Sequence, residues 1–168
     1  MLSTTSEYAL RIMIALTEAG GDSMTTEQIG NFTNVPVDYA GKVLQWLGRA
    51  QLVRGRRGRG GGFKLSCDPN ATSLLDIVNV IDPLQRITSC PLERDQHKDK
   101  LCALHRRIDE VIAQLEDSLR SMTLTSVVEE GDGEPSLCQP SNNGGESQPG
   151  VSNREVARQP AAGPSQPQ

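Results

Sequence analysis

Two cysteines and one histidine near the middle of the chain have the types and spacing of metal ligands. Cys102 and His105 are three positions apart, so at the start of a helix their side chains would share one face. Cys90 lies twelve residues earlier, across a polar stretch that is long enough to fold back. Thiolates together with an imidazole suit zinc or an iron–sulfur cluster. The spacing alone also allows a plainer alternative, in which these residues are thiols and a surface histidine that hold no metal.

A second group of side chains indicates a polyanionic partner. Between Arg49 and Lys64 the chain carries six basic residues and no acidic one, interleaved with glycines. Arginines on a glycine-rich hairpin can enter a narrow minor groove, and glycine lets the backbone approach phosphates closely. Taken alone, such a loop could equally bind RNA or be a solvated linker. The side chains that we assign to DNA contact in this run are Arg54, Arg56, Arg57, Arg59 and Lys64.

The elements in front of this run decide between those alternatives. Two short amphipathic segments, 25–33 and 36–47, are joined by a tight turn. The second segment leaves Asp38, Lys42 and Gln45 on one exposed face. Lys42 can hold a phosphate or a guanine edge, and Gln45 can address adenine. A helix pair followed by a basic hairpin predicts a winged helix-turn-helix that binds double-stranded DNA.

The rest of the pattern predicts a mainly α fold with a small β-wing and a long C-terminal dimerisation helix. Helical periodicity covers 3–19, 73–81 and about 101–122, and short strand signals at 52–53 and 63–65 flank the basic loop. The last helix carries an apolar stripe that is too wide for a helix facing water. It either docks on its own domain or pairs with a second copy. We favour a homodimer, because helix-turn-helix proteins usually read paired half-sites.

Charge is distributed unevenly along the chain. The net charge is −4, but residues 1–128 hold 15 basic and 15 acidic side chains, whereas residues 129–168 hold 2 basic and 6 acidic ones. A neutral body with a local basic patch is compatible with DNA binding. The Pro-, Gly-, Ser- and Gln-rich end cannot bury enough apolar area to offset its ordering entropy, which predicts disorder. We therefore divide the chain into a DNA-binding domain (1–68), a cluster-binding loop with the dimerisation helix (69–125) and an acidic tail (126–168).

Neither an enzyme nor a membrane protein is indicated. The sequence has no Ser/His/Asp elbow, no phosphate loop and no strand–loop–helix context for a dinucleotide fingerprint. No apolar run approaches the roughly 18 residues needed to span a bilayer, and the start lacks a signal-peptide pattern. We expect a cytoplasmic protein without membrane contact. In a reducing compartment its four cysteines suit metal or redox chemistry better than structural disulfides.

Several segments resemble the Rrf-two family of bacterial winged-helix transcription regulators, whose members include the iron–sulfur cluster regulator and the nitric-oxide-sensing repressor. They are TSEYALR at 5–11, VPVDY at 35–39, LGRAQLV at 47–53 and RGRGGGF at 57–63. The resemblance covers residues 1 to about 125, and the wing motif is specific. It implies a homodimer on a pseudo-palindromic operator, with Arg57 as a candidate minor-groove reader.

The resemblance also bears on the metal ligands. Relatives that bind a cluster have three cysteines spaced six and six apart in this loop, and some have a histidine three residues past the third. Cys90, Cys102 and His105 match this pattern, but the middle position is Gln96, with His97 beside it. The usual set of three thiolates is therefore not available from this loop.

Two thiolates per chain leave two ligands to be supplied, for which His105, His97 and Glu7 are available. Glu7 corresponds to the acidic first-helix residue that reaches a cluster across the dimer interface in some relatives. A [2Fe–2S] cluster is accordingly favoured over a [4Fe–4S] cluster, and Cys67 and Cys138 fall outside the pattern. Two alternatives stay open: a clusterless regulator of the same fold switched by thiol oxidation or a small effector, and a zinc-stabilised interaction module.

Overall fold

The computed structural model describes residues 2–92, 100–131 and 136–137. The predicted fold class, mainly α with a small β-wing, is confirmed. Gln96, His97 and Cys138 lie outside the described residues. Within them, no helix is both long and apolar enough to cross a membrane. In chain order the elements are α1 (Thr4–Glu18), α2 (Thr26–Thr33), α3 (Val37–Arg49), β1 (Val53–Arg56), β2 (Gly62–Leu65), α4 (Leu74–Ile81), α5 (Ala103–Ser121) and α6 (Leu124–Glu129).

Helix α1 lies at the centre of the main core. The Ser3 side chain caps the helix by accepting a hydrogen bond from the backbone N–H of Ser6 at 3.2 Å. Ile12, Met13 and Leu16 are buried, and the helix packs against α2, α3, α4 and α6. Burial of an aliphatic side chain of this size contributes about 1.5–3 kcal/mol. Because α1 buries several such side chains against α2 and α3, it stabilises the packing of both helices.

Helices α2 and α3 form a helix-turn-helix through a tight turn. Asn34 adopts a left-handed conformation (φ 53°) that ends α2, and its backbone N–H donates to the Gly30 carbonyl. A Cβ at Gly30 would lie 2.9 Å from the Val35 carbonyl oxygen, so the turn requires glycine there. Leu44 and Leu47 on the inner side of α3 are fully buried. The opposite side of α3 is consequently presented to solvent.

The two strands form an antiparallel hairpin, the wing, in which Arg56 lies opposite Gly62. The wing is also bonded to the segment before α2. The Met24 N–H donates to the Phe63 carbonyl at 3.0 Å, and the Phe63 N–H donates to the Met24 carbonyl at 2.7 Å. Gly62 has φ +150°, and a Cβ there would lie 2.5 Å from the Met24 carbonyl oxygen. These contacts join the wing and the helix pair into one body.

Helix α5 is only partly covered. Its C-terminal end packs on α4 in a second, smaller core, where Leu119 is buried beside Leu75 and Val78. Docking on its own domain therefore accounts for that end of the apolar stripe. The first half of α5 leaves large apolar side chains exposed: Leu104 (64 %), Ile108 (42 %) and Val111 (63 %). Pairing of this half with a second copy stays a prediction.

Helix α6 corrects the predicted start of the tail. Regular structure continues across residue 126, and Leu124 at the start of α6 is fully buried in the main core. Farther along, the Ser136 N–H donates to the Glu18 carboxylate at 2.7 Å, and Leu137 packs against the same core. Composition missed this helix because its few apolar residues adjoin an acidic, glycine-rich stretch. Residues 132–135 and 138–168 lie outside the described part, so their predicted disorder stays a prediction.

Candidate DNA interface and metal centre

The outer face of α3 presents the polar side chains predicted to read DNA. Asp38, Lys42 and Gln45 are all exposed, at the spacing that places them on one side of the helix. The Lys42 ammonium lies 6.0 Å from the centroid of the Tyr39 ring, and the Tyr39 and Thr5 hydroxyls share a hydrogen bond of 2.7 Å. This face is accessible to a major groove, and the base or phosphate contacts of each side chain stay predictions.

One face of the wing concentrates positive charge. Arg54 lies directly opposite Lys64 on the neighbouring strand, and Arg56 is two residues along from Arg54 and therefore on the same face. These side chains and Ser23 line a cavity of about 330 Å³, and none of its lining residues is acidic. Like charges placed directly opposite each other destabilise a hairpin. An anion such as a DNA phosphate would relieve that repulsion.

The tip of the wing is a tight turn that carries two more arginines. The Gly61 N–H donates to the Gly58 carbonyl at 2.8 Å, and a Cβ at Gly61 would lie 2.4 Å from the Arg56 carbonyl oxygen. The turn therefore accepts only glycine at this position. Arg57 and Arg59, on either side of Gly58, are exposed. The tip is narrow and cationic, which suits the minor groove.

Three of the four predicted metal ligands, Cys90, Cys102 and His105, come together where the loop after α4 meets the start of α5. Cys102 is the N-cap residue of α5, and His105 lies in the first turn. The Nδ1 atom of His105 is 3.1 Å from the Cys102 sulfur and 3.6 Å from the Cys90 sulfur. All three ligand atoms lie within 4.8 Å of one another, with Cys90 buried and the other two half-buried. The predicted i, i+3 pairing and the fold-back of the loop are both present.

This set of donors fits a soft metal or an iron–sulfur cluster. Sulfur and imidazole nitrogen are the ligands of tetrahedral zinc sites and of clusters with mixed ligation. Both kinds of site need four ligands, and the described part of the chain brings together three. The remaining ligand would come from solvent, from another part of the chain or from a second copy. Cys67 lies outside this group.

An ion pair connects the two segments that carry the ligands. Arg86, in the loop, donates from Nε and Nη2 to the two carboxylate oxygens of Asp109 on α5, at 2.7 and 2.6 Å. The Ile87 N–H donates to the same carboxylate at 2.8 Å. The hydrogen bonds from Arg86, with a further one from Ile87, lower the pKa of Asp109 to about 2. We call this arrangement the loop clamp.

Glu7, the predicted ligand from the first helix, lies apart from this group in the chain itself. It is on an exposed part of α1 and pairs with Arg11, whose guanidinium carbon is 5.8 Å from the centroid of the Tyr8 ring. A role for Glu7 in ligation would therefore require a second copy, and it stays a prediction. His97 lies outside the described residues.

Sequence reasoning did not single out two features of these sites. Trp46, on α3 beside Gln45, is 37 % exposed, and with Val80 and Ile81 it lines a cavity of about 340 Å³. Because Trp46 follows Lys42 by four residues on the same helix, the sequence could have placed it beside the predicted DNA-binding face. The loop clamp offered none, because its two charged residues are 23 positions apart in polar sequence.

Comparison with known proteins supports the assignment to a family. The model of the Rrf2 (Rrf-two) family, described as an iron-dependent transcriptional regulator, matches residues 2–130. A candidate HTH-type transcriptional regulator of Aquifex aeolicus is 23 % identical over 131 residues, which cover 76 % of this chain and 91 % of that protein.

Two solved structures have a similar fold. CymR, described as the global cysteine regulator of B. subtilis, is 25 % identical, with a TM-score of 0.65 over 77 % of this chain and 97 % of that one. IscR of T. potens is 21 % identical, with a TM-score of 0.64 over 78 % and 88 % of the two chains, and this likeness concerns the fold alone. The chain belongs to the Rrf2 family of DNA-binding transcriptional regulators, and it is therefore a regulator and not an enzyme.

Proposed function

We propose that this regulator responds to iron–sulfur or redox status through a cluster held by Cys90, Cys102 and His105. The observation that carries the proposal is the convergence of two sulfur atoms and one imidazole nitrogen within 4.8 Å. The family's description as iron-dependent and the choice of donors support it further. The proposed signal is iron–sulfur status, redox state or nitric oxide.

The proposed DNA target is a pseudo-palindromic operator bound by a homodimer. In this arrangement α3 enters the major groove, Arg57 reads a minor groove, and the basic face of the wing holds phosphates. Two features support the proposal: the accessible polar side of α3 and the like charges of Arg54 and Lys64 on opposing strands. The uncovered apolar half of α5 supports the dimer, because soluble proteins usually cover such a surface.

The donors present favour a [2Fe–2S] cluster over a [4Fe–4S] cluster, because each chain offers two thiolates and an imidazole in this group. When bound, such a cluster supplies a redox-sensitive link among these side chains. Glu7 of the partner subunit and His97 are the candidates for the remaining ligand. His105 would keep the first turn of α5 facing Cys90.

The positions of the ligands indicate how metal binding would change the affinity for DNA. Cys90 lies in the loop that leaves α4, and Cys102 and His105 lie at the start of α5. Ligation would hold the loop on α5 and so fix the angle between α5 and the α4 surface on which its other end packs. Because α4 also contacts α1 and α3, a change there alters the spacing of the two recognition helices in a dimer. Allosteric coupling of this kind amounts to about 1–3 kcal/mol.

Spectroscopy of anaerobically purified protein tests this proposal directly. We expect visible charge-transfer absorption in the wild type, its loss in Cys90→Ala and Cys102→Ala, and its retention in Cys67→Ala, the matched control outside the ligand group. His105→Ala should weaken or shift the spectrum, because another ligand can substitute. Gel-shift titrations should give different operator affinities for cluster-loaded and cluster-free protein.

Other outcomes would select the alternatives. A colourless wild type that retains stoichiometric zinc would favour a zinc-stabilised module. A metal-free protein whose operator affinity changes on thiol oxidation would favour the clusterless regulator. Equal operator affinity of the loaded and cluster-free protein would exclude the proposed switch.

A further inference from the structure

We propose that Arg86 and Asp109 are positioning residues for the metal centre. Together they set the separation between the loop that carries Cys90 and the helix that carries Cys102 and His105. This inference rests on the proposed metal-binding function, and it names the residues outside the ligand group that decide how tightly the metal is held.

The geometry of the loop clamp restrains both distance and direction. The Arg86 guanidinium meets the Asp109 carboxylate with two parallel hydrogen bonds of 2.7 and 2.6 Å, a bidentate arrangement that fixes relative orientation. The third bond, from the Ile87 N–H to the same carboxylate, holds the main chain of the loop. The loop therefore cannot slide along α5 without breaking three charge-assisted hydrogen bonds.

The clamp lies close to the ligands along both segments. Arg86 is four residues before Cys90, and Asp109 is four residues after His105, one helical turn farther along the same side of α5. A second carboxylate, that of Glu116, lies 3.5 Å from Arg86 and extends the pairing along the helix. A small movement of the clamp would therefore displace the Cys90 sulfur from the other two ligand atoms.

Positioning of this kind alters metal affinity because ligation requires all ligand atoms to be in place at once. A loop that is already held pays less ordering entropy when the metal binds. Loss of a partner hydrogen-bonded directly to a metal ligand typically costs roughly 10–100-fold in affinity. The clamp acts through the main chain of the loop, so its loss is expected at the lower end of that range, about 10-fold. The described residues of α5 include a matched comparison: Arg120 and Asp117 form a 2.7 Å ion pair that connects the helix only to itself.

The experiment is an anaerobic cobalt(II) titration of the reduced full-length chain, followed through the thiolate-to-cobalt charge-transfer band. We expect Asp109→Asn and Arg86→Gln each to weaken cobalt binding by about 10-fold, the lower end of the range for partners bonded directly to a ligand. The band intensity at saturation should stay that of the wild type, because the ligands themselves are unchanged. Asp117→Asn should bind cobalt as the wild type does, and Cys102→Ser should lose much of the band. Melting of the metal-free variants reports whether each one folds.

The outcomes separate this inference from the function on which it rests. Wild-type cobalt affinity in both Asp109→Asn and Arg86→Gln, with Cys102→Ser still defective, would overturn the clamp and leave the metal site standing. A wild-type chain that binds neither cobalt nor a cluster would overturn both. If Asp109→Asn folds poorly, Arg86→Gln decides the matter, because it keeps the bond from Ile87 to Asp109.

Discussion

The DNA-binding region and the ligand-carrying region are stabilised in different ways. In the former, α1, α2 and α3 share a core in which Ile12, Ile29 and Leu44 are fully buried. In the latter, the loop lies on α5 through a partly exposed ion pair and a small apolar contact at Leu84, and the first half of α5 leaves its apolar side chains uncovered. Burial is non-directional and roughly proportional to the area buried. A bidentate ion pair instead fixes relative orientation, while its contribution to the free energy of folding is reduced by solvent and by salt.

A bound metal or partner can change the second region more readily than the first. A region held by its own core keeps its shape whatever binds elsewhere. A region held by a few polar contacts and an uncovered surface responds to a metal or a partner, because either supplies interactions that the chain lacks.

The largest expected effect is in the core. Leu44→Ala removes a fully buried side chain and should lower the free energy of unfolding by about 2–5 kcal/mol. Leu92→Ala makes the same chemical change at a loop position that is 51 % exposed, and it should change that free energy by less than about 0.5 kcal/mol. Urea unfolding monitored by circular dichroism measures both. Equal losses of stability in the two variants would show that the loop around Leu92 belongs to the core.

The next effect concerns the uncovered half of α5. In the proposed dimer, Val111→Glu places a charge against the partner helix, at a cost of several kcal/mol of association free energy. The variant should sediment as a monomer and lose operator binding while its melting temperature as a monomer changes little, because Val111 is 63 % exposed in the chain. Leu115 is a less suitable site for this test, because its side chain also packs against the second, smaller core between α4 and α5. A wild type that sediments as a monomer at micromolar concentration would exclude the dimer.

A smaller effect is expected at the wing. Arg57→Ala should weaken binding to the specific operator by about 1–3 kcal/mol, whereas Arg54→Ala should weaken binding to all sequences and reduce the salt slope by about one. Gel-shift titrations over several salt concentrations distinguish the two. If the triple variant of Arg56, Arg57 and Arg59 to alanine kept wild-type affinity, the wing would have no part in the interface.

The smallest expected effect is the pH response of the loop clamp. Because the pKa of Asp109 is lowered to about 2, its ionised form stabilises the fold above the ordinary carboxyl pKa of about 3.9, and that contribution disappears as the pH falls from about 4 towards 2. The protection factor of the Ile87 amide, which is the intrinsic exchange rate divided by the observed rate at each pH, should fall over this range. In Arg86→Gln the pKa of Asp109 should rise towards its ordinary value, as measured by nuclear magnetic resonance titration. An unchanged pKa in that variant would contradict the assigned cause.

Local signals explain what could be predicted from sequence. Periodicity and turn residues defined the helix pair and the wing, because their apolar spacing and glycines act over a few residues. The i, i+3 spacing of Cys102 and His105 likewise predicted a shared face. Helix α6 was not predicted, because six residues are too few for a period and its formation depends on burial against α1. The Arg86–Asp109 contact was not predictable, because no pattern links two distant charges.

The position of α6 has a consequence for how the protein is made. Leu124 completes a core that begins with α1, and its N–H donates to the carbonyl of Thr72, two residues before α4. During synthesis the helix-turn-helix therefore emerges first, but its core stays incomplete until α6 has left the ribosome. Such closure between distant parts of a chain slows folding and leaves apolar surface exposed in the meantime. A nascent chain halted before residue 124 should accordingly hold a helix-turn-helix that cannot yet bind DNA as a stable unit.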